Sequence, residues 1–212
     1  MTRLFRFMKP NILEAGIDEV ARGCLAGPVV AAAVIWNPEL EKILNIDIPN
    51  IKDSKKLKPD VRKEYSEFIK SYALDYNIAF VSEKEIDNIN ILNATHMAMH
   101  KAISGLTIKP EHLIIDGNSF KPFVADSFNR YIDYSTVIKG DNKYLSIACA
   151  SILAKVARDE YIYNLVDNDK SLEKYGWKTN NAYGTKDHIY AIKKYGITKH
   201  HRKTFGICKE FA

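Results

Sequence analysis

The sequence predicts an α/β fold with a mixed central sheet flanked by helices. Three short apolar segments in the first half indicate an antiparallel meander, and helical and extended segments then alternate. Acidic residues lie at the ends of several predicted strands, which places them at one edge of such a sheet. The 212 residues are 46% hydrophobic and 27% charged, which suits a folded chain with a sizeable core.

The first half of the chain supplies the meander. Residues 14–20, EAGIDEV, have the pattern of a strand. Residues 28–36, PVVAAAVIW, hardly alternate between apolar and polar, which predicts a strand buried on both faces. Pro59 suits the first turn of a helix that runs to about Tyr72. Residues 74–82, LDYNIAFVS, predict the third strand.

Helices and strands alternate in the second half. Ser82 and Glu85 form a capping-box pattern before a short helix. Apolar residues then recur at helical spacing from Asn93 to Ser104. The remaining predicted elements are strands in EHLIIDG (111–117) and YSTVIKGD (134–141), and helices at about 144–166 and 185–195.

Composition bounds the class of protein. We expect a single domain over 1–212, with about 168–212 as a C-terminal helical and basic extension packed on it. A formal net charge of +5 fits either nucleic-acid binding or an ordinary solvated surface. Three cysteines without metal-ligand spacing favour a reducing compartment, and the longest apolar run is too short to span a membrane. We therefore expect a cytoplasmic protein, and a monomer by default.

Four acids share one position in the predicted fold. Asp18 and Glu19 lie in the first strand, and Asp116 and Asp141 come at the ends of two later ones. Carboxylates brought together repel one another, and a hard cation such as Mg²⁺ or Mn²⁺ removes that conflict. Two such ions ~3.5–4 Å apart can activate a water and stabilise the leaving oxygen of a phosphodiester.

A plainer interpretation of the same acids stays open. Asp-Gly and Gly-Asp are ordinary turn sequences, so Asp116 and Asp141 could simply mark turns. Asp18 and Glu19 could be an edge-strand pair. Neighbouring strand residues also point to opposite faces, so both side chains reach one site only if the strand ends or bulges there.

Seven motifs occur in order along the chain: GIDEVARGCLAGPVVAAAV, DSKKL, IIDG, KGD, IACASILAKVARD, YGTKDH and YGITKHHRKTF. Together they resemble ribonuclease HII, the prokaryotic type 2 ribonuclease H, from about Ala15 to Phe205. The resemblance implies an RNase H-like fold with a C-terminal helical part. It also implies a metal-dependent endonuclease that hydrolyses the RNA strand of RNA/DNA hybrids and acts in ribonucleotide excision repair. Such an enzyme also cuts 5′ of ribonucleotides embedded in duplex DNA, leaving 3′-hydroxyl and 5′-phosphate ends, with two Mg²⁺ or Mn²⁺ ions per site.

The resemblance carries the catalytic and metal-binding roles onto Asp18, Glu19, Asp116 and Asp141. It implies that Glu19 contributes partly through its backbone carbonyl, which would answer the opposite-face objection. No histidine base is required in such a mechanism, because the metal generates the nucleophile.

The resemblance also implies substrate contacts. The segment Ala21-Arg22-Gly23 would meet the nucleotide at the RNA–DNA junction through backbone groups and read its 2′-hydroxyl, which both donates and accepts. Tyr183 would pack on the deoxyribose just beyond it. The candidate phosphate contacts are Lys55, Lys56, Lys155 and Arg158, for which a solvated basic face is the alternative.

To the other motif residues we assign no catalytic role. His201 and Arg202 match the C-terminal motif of the family without an assigned role. His188 is expected to be an exposed helix residue, and Cys24 to be structural.

Two glycines of the family pattern are alanines here, Ala21 and Ala182. If either position needs a positive φ, alanine costs about 1 kcal/mol there. Two other functions therefore stay open. One is a ribonuclease HIII-like enzyme that cuts hybrids but not single ribonucleotides, and the other is a non-catalytic protein that binds RNA/DNA duplexes.

Overall fold

The computed structural model describes residues 4–37, 51, 57–125 and 130–212. Its central sheet has the strand order β3-β2-β1-β4-β5. The strands are β1 (Glu14–Val20), β2 (Val29–Ile35), β3 (Asp75–Val81), β4 (His112–Asp116) and β5 (Asp133–Val137). The pairs β1–β2 and β2–β3 are antiparallel, and β1–β4 and β4–β5 are parallel. The predicted meander followed by parallel strands is confirmed.

Helices cover the sheet and form a C-terminal layer. They are α1 (Pro59–Tyr72), α2 (Glu83–Ser104), α3 (Leu145–Asn168), α4 (Trp177–Asn180) and α5 (Lys186–Tyr195). Short 3₁₀ turns occur at Gly140–Asn142, Lys170–Tyr175 and Gly206–Phe211. Each predicted helix of the sequence is present within a few residues of its expected bounds.

The β2 strand separates two apolar layers. Its alternate residues Val29, Ala31, Ala33 and Ile35 pack in the layer that contains α2. The residues between them, beginning with Val30, point to the other face and pack in the layer that contains α1 and α3. Both faces of β2 are therefore buried, which explains why its sequence does not alternate.

The α2 helix changes direction at Asn90. The predicted capping box begins it: the Ser82 hydroxyl accepts from the Glu85 amide at 3.3 Å, and Glu85 accepts from the Ser82 amide at 2.8 Å. Asn90 leaves the helical region with φ 65° and ψ 165°, and its side chain accepts from the Asn93 amide at 3.1 Å. A second N-cap therefore starts inside α2, which matches the prediction of two helical segments.

A very close approach between helix and strand lies at Gly16 of β1. A Cβ atom built there would sit 2.4 Å from the backbone nitrogen of Ile147 and from the carbonyl carbon of Ser146. Only glycine lets the first turn of α3 come this near to β1. Asp18 follows on the same face of the strand, two residues along. The contact therefore brings α3 beside the acidic end of β1.

A third apolar cluster lies under the C-terminal elements. It joins Leu25 and Ala26, from the loop after β1, to Ile162 and Val166 near the end of α3. The other members come from residues 172–208. The C-terminal residues therefore pack directly on the chain that follows β1.

We predict that Gly16→Ala destabilises the fold by about 3 kcal/mol, because the added methyl group meets backbone atoms that cannot rotate away. Urea unfolding followed by circular dichroism measures the change. Gly23→Ala is the matched control, since a Cβ there meets no atom within 4 Å. Equal stability of the two variants would show that the close approach does not constrain the fold.

Candidate active site

Three strands end at one edge of the sheet and carry the four predicted carboxylates. Asp18 and Glu19 lie near the end of β1, and Asp116 is the last residue of β4. Asp141 lies in the 3₁₀ turn that follows β5. Because β1, β4 and β5 run in parallel, their C-terminal ends meet at that edge.

Asp18 is the most enclosed of these acids. It is 6% exposed, and its Oδ1 accepts from the Glu19 amide at 2.7 Å. The Ser151 side chain also donates to it from α3. Burial, followed by the charges of Glu19 and Asp116, raises the pKa of Asp18 well above its usual value. The structure thus places three carboxyl groups within electrostatic reach of one another.

Glu19 is held between opposing charges. Burial raises its pKa and the charge of Asp116 adds to that, while the Arg22 guanidinium, 3.4 Å from Oε1, lowers it. The β1 ladder stays regular through Glu19 and Val20, which pair with Ala31 and Val30. No bulge therefore turns Glu19 toward Asp18, and a contribution through its backbone carbonyl stays a prediction.

A hydrogen bond joins Asp116 to the turn that carries Asp141. The Gly140 amide donates to Asp116 Oδ1 at 2.7 Å. A Cβ at Gly140 would lie 3.3 Å from the same oxygen and 2.6 Å from Ile147 Cδ1, so any other residue there would have to displace the Ile147 side chain. Asp141 itself is half-buried and accepts from the Asn142 side chain at 3.0 Å. The turn thus fixes the Asp116 carboxylate and places Asp141 next to it along the chain.

The carboxyl groups fit a hard cation by their chemistry. Among the described residues, no group of three or more His, Cys, Asp or Glu side chains is already arranged as a metal site. The side chains of Asp18, Glu19 and Asp116 nevertheless all offer oxygen ligands. Burial raises the pKa of Asp18 and Glu19, and repulsion from the neighbouring carboxylates adds to it. A divalent cation bound by oxygen ligands would offset that repulsion.

Residues 21–27, here called the junction loop, follow β1 directly. Ala21 has a φ of 71° and is buried, whereas Arg22 and Gly23 are exposed. A Cβ added at Gly23 would meet no atom within 4 Å. The loop therefore presents its Arg22-Gly23 backbone to open space beside Glu19.

Residues 181–184, here called the tyrosine loop, lie against the junction loop. Asn181 and Ala182 have φ values of 47° and 57°, and Tyr183 is 38% exposed. Burial, followed by Cys24, raises the pKa of Tyr183 to about 12, so its hydroxyl stays protonated. Ala21 and Ala182, which replace glycines of the family pattern, thus both have left-handed φ values. Each costs about 1 kcal/mol of stability.

A cleft of about 340 Å³ connects the acids to the tyrosine loop. Its lining includes Glu19, Ser151, Lys155, Asp159 and Tyr183. Lys155 Nζ contacts Asp159 Oδ1 at 2.8 Å. Three of these residues lie on α3 at intervals of four, which is one face of a helix. Sequence reasoning missed Ser151 and Asp159, although this spacing was the signal that could have found them.

Of the four predicted phosphate contacts, the structure describes only Lys155 and Arg158. Arg158 is fully buried and donates to backbone carbonyls, so the prediction of a direct phosphate contact is wrong for it. Its place on the α3 face toward the C-terminal cluster explains the burial. Lys55 and Lys56 lie outside the described residues, and their predicted phosphate contacts stay predictions.

The expectation for His188 is also wrong, because its ring is buried with that of His201. His188 Nε2 accepts from Trp177 Nε1 at 2.9 Å, and His201 Nδ1 accepts from the Thr198 amide at 2.9 Å. His188 Nδ1 must therefore donate to the Tyr183 carbonyl, 2.9 Å away. His201 Nε2 lies 3.2 Å from His188 Nε2, which already accepts from Trp177. This neutral pair ties α5 to the tyrosine loop.

Comparison with known proteins assigns the family. Residues 15–208 match the family model described as Ribonuclease HII. The chain belongs to the ribonuclease HII family. It is thus a type 2 ribonuclease H, an endonuclease of RNA/DNA hybrids.

Relatives and solved structures agree with this assignment. The chain is 46% identical over 202 residues to a ribonuclease HII of Christiangramia forsetii, covering 95% of this chain and 94% of the relative. It is 50% identical over 191 residues to that of Pelagibacter ubique, covering 90% and 94%. The ribonuclease H2 structure from Pyrococcus horikoshii matches with a TM-score of 0.73, 27% identity and 93% and 96% coverage.

A further solved structure shows a member of the ribonuclease HII family with a partner. The PCNA:RNase HII complex from Archaeoglobus fulgidus matches with a TM-score of 0.71 at 25% identity, covering 92% of this chain and 96% of that one. These matches confirm the RNase H-like fold predicted for the sheet and helices. Among the described residues, no helix is long and apolar enough to cross a membrane.

We predict that Ala21→Gly raises the free energy of unfolding by about 1 kcal/mol, because it removes left-handed strain. Ala182→Gly should stabilise less, since it also removes a methyl group from the C-terminal apolar cluster. Urea unfolding measures both. Ala191→Gly, equally buried but inside α5, is the control and should destabilise. Destabilisation by Ala21→Gly would contradict the strain argument.

We predict that the histidine pair makes stability depend on pH. Burial lowers the pKa of His188, and lowers that of His201 to about 3. Below about pH 6.5 the unfolded chain therefore binds protons that the folded chain does not, and the free energy of unfolding falls as the pH falls. Urea unfolding at about pH 7 and about pH 5 should show a smaller fall for His201→Gln than for the unmodified protein. Equal falls would contradict the prediction.

Proposed function

We propose that this ribonuclease HII hydrolyses RNA in RNA/DNA hybrids and also cuts 5′ of single ribonucleotides embedded in duplex DNA. The products would carry 3′-hydroxyl and 5′-phosphate ends. The observation that carries the proposal is the meeting of carboxylates at the ends of parallel strands. Asp18, Glu19 and Asp116 interact electrostatically there, and the turn that holds Asp141 is bonded to Asp116.

The proposal assigns the binding of two divalent ions, Mg²⁺ or Mn²⁺, to Asp18, Glu19, Asp116 and Asp141. Bound ions of this kind supply an activated water and a positive charge beside the leaving 3′-oxygen. The chain's own part is to fix the ligands. The Glu19 amide and Ser151 orient Asp18, and the Gly140 amide orients Asp116.

The junction loop supports reading of a single ribonucleotide. In its exposed Arg22-Gly23 segment, the Gly23 backbone offers a donor and an acceptor, and a 2′-hydroxyl needs both. The half-exposed ring of Tyr183 stands on the adjoining loop, where it can pack on the sugar that follows. Lys155 lines the cleft between Glu19 and Tyr183, and we assign it a phosphate contact there.

The buried methyl groups of Ala21 and Ala182 favour one rival. If they displace the junction loop, the enzyme would cut hybrids and leave single ribonucleotides uncut. Bst-RNase HIII shares the fold with a TM-score of 0.68 at 20% identity, and this chain covers 68% of its length. That match speaks for the fold alone, so the substrate must be tested directly.

The test compares three duplexes: DNA with one ribonucleotide, a full RNA/DNA hybrid, and DNA alone. Each is incubated with Mg²⁺, Mn²⁺ or EDTA. Metal-dependent cutting 5′ of the lone ribonucleotide would support the proposal. Cutting of the hybrid alone would support the ribonuclease HIII-like rival, and binding without cutting would support a non-catalytic protein.

We predict that Asp116→Asn lowers kcat on either substrate by more than ~100-fold, because it removes a charged ligand from the cluster of carboxylates. Folding should survive, since the amide oxygen can still accept from Gly140 and one like charge is lost. Single-turnover cleavage and urea unfolding measure the two effects. Asp133→Asn, exposed at the start of β5, is the control and should keep normal turnover. A near-normal rate for Asp116→Asn would refute the assignment.

A further inference from the structure

The junction loop lies between two other segments of the chain and is hydrogen-bonded to both. On one side the Leu25 amide donates to the Ala182 carbonyl at 2.9 Å, which joins it to the tyrosine loop. On the other side the Arg202 amide donates to the Leu25 carbonyl at 2.8 Å, and the Gly27 amide to the His200 carbonyl at 2.9 Å. Residues 198–205, here called the C-terminal segment, thus bond to the junction loop on the side opposite the tyrosine loop.

Two buried arginines cross these segments. Arg202 donates through Nε to the Gly27 carbonyl at 2.9 Å and through Nη1 to the Arg22 carbonyl at 3.0 Å. Arg158 donates through Nη2 to the Ala26 carbonyl at 3.2 Å and through Nη1 to the Asn181 carbonyl. Both side chains are fully buried. All four acceptors are backbone carbonyls of the junction and tyrosine loops.

Simple core packing does not explain these residues. Burying a guanidinium is costly, and apolar residues of similar volume often give equal or greater stability. A guanidinium does what an apolar side chain cannot, because its rigid planar fork sets the distance between two acceptors. Arg202 fixes the two ends of the junction loop, at Arg22 and Gly27. Arg158 fixes that loop relative to the tyrosine loop.

We infer that Arg158 and Arg202 are positioning residues for recognition of the lone ribonucleotide. This rests on the proposed function, in which the Arg22-Gly23 backbone reads the 2′-hydroxyl and Tyr183 packs on the next sugar. The carbonyl held by Arg202 belongs to Arg22, inside the reading segment itself. A lone ribonucleotide offers one 2′-hydroxyl to one segment, so small displacements matter most for that substrate. A hybrid offers 2′-hydroxyls along its whole RNA strand.

The test uses Arg202→Lys and Arg158→Lys. Lysine keeps the charge, but its ammonium group cannot bridge two carbonyls in a fixed fork. We expect kcat/KM on the lone-ribonucleotide duplex to fall by ~10–100-fold, since a displacement of about 1 Å has an effect of that size. The loss on the hybrid should be smaller, so the ratio of the two kcat/KM values should fall.

Tyr175→Phe is the matched control. It removes a hydrogen bond to the Gly196 carbonyl from the same C-terminal cluster without touching either loop. We expect it to lower Tm and leave the kcat/KM ratio unchanged. All assays run well below the Tm of every variant. If the arginine variants lose activity on both substrates equally, or keep the normal ratio, the arginines are merely structural and the inference is overturned.

Hydrogen–deuterium exchange gives a readout that does not need activity. The amides of Leu25 and Gly27 should lose protection in the lysine variants, while those of β1 and α3 keep theirs. Unchanged loop protection would overturn the inference even if activity changed. If the unmodified protein cuts only hybrids, the proposed single-ribonucleotide activity fails. The positioning role of the arginines is then tested by hydrogen–deuterium exchange and by KM for the hybrid. If the lysine variants do not raise that KM, the inference is refuted.

Discussion

The close approach of β1 and α3 at Gly16 is the constraint on which the candidate site depends. With no side chain between them, the first turn of α3 lies on the strand, and the helix runs on past its acidic end. Ser151 then meets Asp18, Lys155 enters the cleft, and Arg158 reaches the two loops beyond. Successive turns of α3 therefore contact the carboxylates, the cleft and the two loops.

The carboxylate group works against the stability of the fold. Burial disfavours the charged forms of Asp18 and Glu19, and repulsion between the neighbouring carboxylates adds to this cost, so the pKa of both side chains is raised. Hydrogen bonds from Ser151 and the Gly140 amide offset part of that cost. The left-handed alanines of the two loops add further strain nearby. Backbone strain is tolerated when the surrounding structure over-determines it, as the bonds from the buried arginines do for these loops.

The sequence predicts the regular elements well because their signals are local. The apolar run of β2, the Ser82 capping box and the acids after parallel strands each depend on neighbours a few residues away. Arg158 and His188 could not be placed in this way. Both have polar side chains on helices, which are usually solvated. Arg158 is buried because it bonds to Ala26, 132 positions away, and His188 because its ring meets Trp177 and His201, which lie outside its own helix. The positive φ of Ala21 and Ala182 was anticipated only from the family's glycines.

The bond between Arg202 and the Arg22 carbonyl joins residues 180 positions apart. Contacts of such long sequence separation form late in folding, because a large loop must close before they can form. The sheet can assemble from the earlier residues, whereas the junction loop must wait for the C-terminal segment to dock. We therefore expect the junction loop to reach its final conformation late in folding, and to lose it first when the C-terminal layer opens.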